Sequence, residues 1–96
     1  MTIEEIQKEI LPLFEGLDDE LVADGARDAS VFFEQVRDSI ASARSTDALM
    51  PAFQQLSTAA FQGFSYGPVA FAMVDRILEC ASGVAAVLAS AGETRH

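Results

Sequence analysis

The stretch from Pro68 to Ala91, PVAFAMVDRILECASGVAAVLASA, limits what this chain can fold into more than any other. Asp75, Arg76 and Glu79 are its only charges, and none follows from Cys80 on. A surface helix of a small domain carries one apolar stripe and one polar face. A helix close to apolar all round needs cover on most sides. Ala70, Met73, Ile77, Cys80, Val84, Val87 and Ala91 step by three and four, the seam of paired helices. Val74, Leu78, Ala81, Ala85 and Leu88 widen that seam. Pro68 after Gly67 suits a first helical position, and Gly92 a stop. The three charges leave too short a clean run for the roughly 20 apolar residues a bilayer needs, so no membrane span is expected.

Side-chain size changes along this helix. Its first half is bulky (Phe71, Met73, Val74, Ile77, Leu78), and its second half is small (Ala81, Ser82, Gly83, Ala85, Ala86, Ala89). Small residues permit close backbone approach, and good cores set large against small. Two copies packed antiparallel satisfy both conditions. Met73, Ile77, Cys80, Ala81, Val84, Val87 and Leu88 are therefore the expected self-association surface of a homodimer.

The other elements follow from the same periodicity. Half of the 96 residues are hydrophobic, and β-branched residues never alternate with polar ones, so the fold class is all-α. One domain is expected, an elongated bundle of four helices over about 3–14, 18–43, 47–63 and 68–91, the first short, the second and fourth long. Thr2 with Glu5 forms a capping box, and Ile3, Ile6, Ile10 and Leu13 mark one face. Pro12 is expected to break this helix, with a turn through Gly16. Asp18 then caps the second helix, with Leu17 and Val22 as a hydrophobic staple. Its seam is Val22, Ala26, Ala29, Phe33, Val36, Ile40 and Ala43. Its size gradient is the reverse of the last helix's, so the two are expected to lie side by side, with Gly25 at a close approach. Thr46 or Asp47 is the expected cap of the third helix, whose face is Leu49, Phe53, Leu56, Ala60 and Phe64.

Charge and chemistry narrow the function classes. The formal charge is −9, which argues against nucleic acid or an anionic membrane as partner. Nine acids against Lys8 and Arg27 in residues 1–28 would suit a basic protein partner. The acidic start has no continuous apolar core, so no signal peptide is expected, and the cytoplasm is the expected location. The only cysteine, Cys80, sits on the apolar seam as a core residue, and the only histidine is His96. No metal-ligand spacing, no phosphate-binding glycine loop and no nucleophile–base pair is present. Asp75, Arg76 and Glu79 read as a solvated cluster. No catalytic residue, metal or cofactor is expected, and the chain is not expected to be an enzyme. Phe61, Phe64, Tyr66 and Phe71 form an aromatic corner that reads either as a plug for one end of the bundle or as the partner-binding residues, Tyr burying area while keeping a polar handle. The expected role is a small interaction protein of the adaptor, chaperone, antitoxin or anti-activator kind. The alternatives are a carrier of an apolar ligand, anchored by Arg76, and an acidic nucleic-acid mimic.

Overall fold

A computed structural model describes residues 2–93, without the side chains of Ala60 and of residues 90–93; Ala91 and His96 of the sequence reading lie outside the described side chains. Four α-helices, α1 (Ile3–Ala23), α2 (Arg27–Ser42), α3 (Leu49–Ser57) and α4 (Pro68–Glu93), form an all-helical domain, with a 3₁₀ turn at Ala59–Phe61 and no strand among the described residues. The domain measures 47 × 22 × 17 Å. α1 packs on α2 and α4, and α3 packs on the same two from the opposite side. α2 and α4 are therefore diagonal, with no close approach of their backbones among the described residues, not side by side as their size gradients suggested.

α1 starts as its sequence dictates. Thr2 and Glu5 close the capping box, and two acids lie in the first turn where the helix dipole favours them. The helix then runs on through Pro12, where a break was expected. An interior proline costs about 3 kcal/mol. Beyond it, Phe14, Leu17 and Leu21 continue the buried face begun by Ile6 and Ile10. Each such burial is worth roughly 1.5–3 kcal/mol, so three of them outweigh the proline. Pro12 itself is exposed, so the carbonyl it leaves unpaired faces water. Leu17 is thus a core residue and Val22 an exposed one, and they form no staple. Gly16 lies mid-helix, with Met73 Cε 3.9 Å from where a β-carbon would sit.

The turn to α2 comes instead at Asp24-Gly25-Ala26. Gly25 adopts φ +71°, which glycine enters without penalty. The Ala26 N–H donates to the Leu21 carbonyl at 2.9 Å and the Gly25 N–H to the Val22 carbonyl at 3.1 Å, the paired bonds of a Schellman ending. Ser30 Oγ donates to Asp18 Oδ1 at 3.0 Å, tying α2 back to α1. At the far end, Gln7 Nε2 donates to the carbonyls of Ile40 (2.9 Å), which also accepts the Ala43 N–H, and of Ala43 (3.0 Å), so α1 braces the end of α2.

α3 begins one turn after Ser45, whose side chain accepts from the Ala48 N–H, so neither Thr46 nor Asp47 caps it. Pro51 falls in its first turn, where a missing N–H is harmless. Leu49, Ala52, Phe53 and Leu56 are buried. The helix stops at Ser57, short of the expected 63, and Gly63 takes a second positive φ before the chain enters α4. α4 runs through Gly92 to Glu93.

The buried stripe of α4 is Ala70, Val74, Ile77, Ala81 and Val84. It shares Ala70, Ile77 and Val84 with the expected seam but puts Val74 and Ala81 where Met73 and Cys80 were expected. Met73, Cys80 and Leu88 are half-buried, and Val87 is exposed. Ile77, Ala81 and Val84, expected on a self-association surface, are taken up by the chain's own core against α1 and α3. The outer face of α4 carries Ala72, Asp75, Arg76, Glu79, Ser82, Gly83 and Ala86, all exposed.

Candidate interaction surface

Two of the three connections, α1–α2 and α3–α4, lie at one end of the bundle. Asp24 joins them, its carboxylate accepting the Gly67 N–H at 2.9 Å. A charge there also lies at the N-terminus of α4, the favourable end of the helix dipole. A β-carbon on Gly67 would sit 3.1 Å from Asp24 Oδ2, so glycine permits this close approach.

Most of the exposed large apolar side chains gather at this end. Phe61 is 88% exposed, Val22 67% and Phe71 64%, and Val31 and Val69 are exposed beside them; Met50 and Val87 lie elsewhere. Three open clefts lie at this end, lined in part by Val22, Val31 and Phe71. A groove of about 450 Å³ is bounded by Leu21, Val22 and Val31 and shares Gly25 and Arg27 with a second cleft of about 390 Å³. That cleft passes Asp28 and Gln62 to Gly63, Phe64 and Ser65, which it shares with a third of about 370 Å³ reaching Tyr66 and Phe71.

The expected aromatic corner divides in two here. Phe64 is half-buried, its ring 5.3 Å from Phe32 and 6.2 Å from Phe33, and it closes the end of the core. Tyr66 is half-buried too, and burial pushes its phenol above the usual value, so it stays neutral at physiological pH. Phe61 and Phe71 project into solvent. Val31 and Val69 were not singled out in the sequence, and Val22 was expected on the apolar seam of the second helix. Val31 carried a signal, standing off the α2 stripe among Arg27, Glu34 and Asp38.

The charge distribution at this end is two-sided. From Ala48 to Val74 the chain has no charged residue, and this stretch supplies α3, the 3₁₀ turn and the first turns of α4. Beside it, the end of α1 and the first part of α2 carry Asp18, Asp19, Glu20, Asp24, Asp28, Glu34 and Asp38 against Arg27 and Arg37. Interface cores are depleted of charge and enriched in aromatic residues and Met. The uncharged aromatic half meets that description.

Elsewhere the side chains hold little that is poised for chemistry. Burial, with a smaller push from Glu9, raises the Cys80 thiol above its usual value and keeps it protonated and weakly nucleophilic. Among the described residues, no group of three or more His, Cys, Asp or Glu side chains converges to hold a metal ion. No helix among them is long and apolar enough to cross a membrane. Arg76, the anchor of the carrier alternative, is exposed and lines none of the three clefts. Glu4, Glu5, Glu9, Glu15 and Asp19 are exposed along α1. Compared with protein-family models, curated proteins and solved structures, the chain matches none.

Proposed function

We propose that this domain is a protein–protein interaction module that docks its partner at the end of the bundle carrying the α1–α2 and α3–α4 connections. The observation that carries the proposal is the pair Phe61 and Phe71, both largely exposed, in a stretch from Ala48 to Val74 that carries no charged residue in a chain whose net charge is −9. Burying exposed aromatic surface is the usual source of binding energy at protein contacts, and a contiguous apolar patch on a small domain marks a contact site. An adaptor, chaperone, antitoxin or anti-activator role would all work through such a surface. The test is affinity capture from the source cell with the wild-type chain and with the F61S/F71S variant. A protein retained by the wild type and lost with the variant is the expected result. Retention of every captured protein by the variant would remove the proposal.

A second role, self-association, has one observation in its favour. Ser82, Gly83, Ala86 and Ala89 leave the outer face of α4 without bulk or charge beyond Glu79, open to the α4 of a second copy. Sedimentation equilibrium at micromolar concentration is expected to give twice the chain mass on this reading, and the mass of one chain dismisses it.

A further inference from the structure

We infer that the segment docking at this end is a cationic amphipathic helix of another protein; this rests on the interaction role proposed above and adds the partner's chemistry. The surface has two chemically distinct halves side by side. Phe61, Phe71 and Val69 make the apolar half, and the clefts that pass Phe64 and Gly63 continue without interruption to Val22 and Val31. The carboxylates of Asp19, Asp28 and Glu34 stand on the exposed surface of the α1–α2 half, where Arg27 and Arg37, the latter paired with Asp38, leave a clear excess of negative charge.

An occupant must therefore offer apolar side chains along one line and positive charge along its flank. A helix with leucine-like residues at i, i+3, i+4 and i+7 and Lys or Arg beside them does so, and it needs no preformed deep pocket. A second copy of this chain does not, because its corresponding surface brings the same excess of carboxylates, with only Arg27 and the Asp38-paired Arg37 to answer them. An anionic or uncharged apolar helix would bury the aromatic half but leave the carboxylate half facing like charge or nothing. The long-range field of a chain at −9 also favours encounter with a cation.

The test uses the full chain and an 18-residue amphipathic helical peptide of leucine and lysine, with its leucine–glutamate counterpart as control. The lysine peptide is expected to bind with a micromolar Kd and to shift amide resonances of residues 22–34 and 61–71, while the glutamate peptide does not bind. F61S/F71S is expected to weaken binding at least tenfold; both side chains are exposed, so the fold survives the change. D28N/E34Q is expected to weaken binding several-fold and flatten its salt dependence. E4Q/E79Q removes equal charge elsewhere and is expected to change affinity less than twofold. Equal losses from the two charge-removing pairs, or shifts spread over the whole surface, would reduce the binding to bulk attraction and overturn the inference. A dimer whose mass falls to one chain in F61S/F71S would make a second copy the occupant and overturn it as well. If F61S/F71S loses its captured protein while the lysine peptide fails to bind, the interaction role stands and the partner chemistry falls. If the capture is indifferent to the variant, the role itself falls.

Discussion

Replacing Ile77 with alanine is expected to lower the stability of the domain by about 3 kcal/mol, the usual cost of truncating a fully buried aliphatic side chain. Ile77 has no exposed surface and sits in the α4 stripe that faces α1 and α3. Small domains are stable by only about 5–15 kcal/mol, so the midpoint of urea or thermal unfolding should move well down, by roughly 12 °C or more for a chain of this size. Val87→Ala, on the same helix and within the originally expected seam, is expected to cost less than about 0.5 kcal/mol, because Val87 is 46% exposed. The contrast between the two decides which line of α4 carries the packing. Equal losses would place the seam along Met73, Cys80 and Val87 instead. Both unfolding curves should be independent of protein concentration if the core is complete in one chain.

Replacing Pro12 with alanine is expected to raise stability by about 2 kcal/mol. The substitution restores an N–H that can donate to the Lys8 carbonyl and removes the ring that crowds it. Part of the roughly 3 kcal/mol interior-proline penalty is returned because proline also stiffens the unfolded chain, by about 0.4–1 kcal/mol. Pro12 is exposed, so no packing is lost. Chemical denaturation of the two proteins measures the difference. A loss of stability in P12A would show that the proline serves a break in α1, and that Leu17 does not belong to a continuous helix.

Both predictions arise where local signals competed. Pro12 and Gly16 resemble a helix end followed by a turn, and Gly25 resembles a helix residue spared for close packing. The chain does the reverse. Its one-sided apolar spacing, Ile6, Ile10, Phe14, Leu17 and Leu21, crosses Pro12 without changing face, and that continuity outweighs a single unfavourable residue. The end signal lay at Asp24-Gly25-Ala26, where glycine at a positive φ and the paired Schellman bonds close the helix. Counting the apolar residues beyond the proline against its cost would have placed the turn correctly.

The aromatic corner was legible as a cluster, but not as two functions. Phe64 and Phe61 lie three residues apart with similar surroundings in sequence. One meets Phe32 and Phe33 from a distant helix and closes the core, whereas the other meets solvent. Val22 could not be identified as surface from spacing alone, since it fits the α2 seam numerically while belonging to the end of α1.

The all-helical class, the N-terminal capping box and the identity of α4 as the principal apolar element were determined by the sequence itself, because each rests on contacts within a few residues of chain. Which line of α4 is buried was decided only in three dimensions. Ala70, Ile77 and Val84 recur every seventh residue and belong equally to the line through Met73 and Cys80 and to the line through Val74 and Ala81. A helix with apolar residues on both sides of a shared seam has no internal reason to prefer one, and the positions of α1 and α3 choose between them. The same choice leaves Phe61 and Phe71 uncovered, since a short α3 ending at Ser57 does not extend over them.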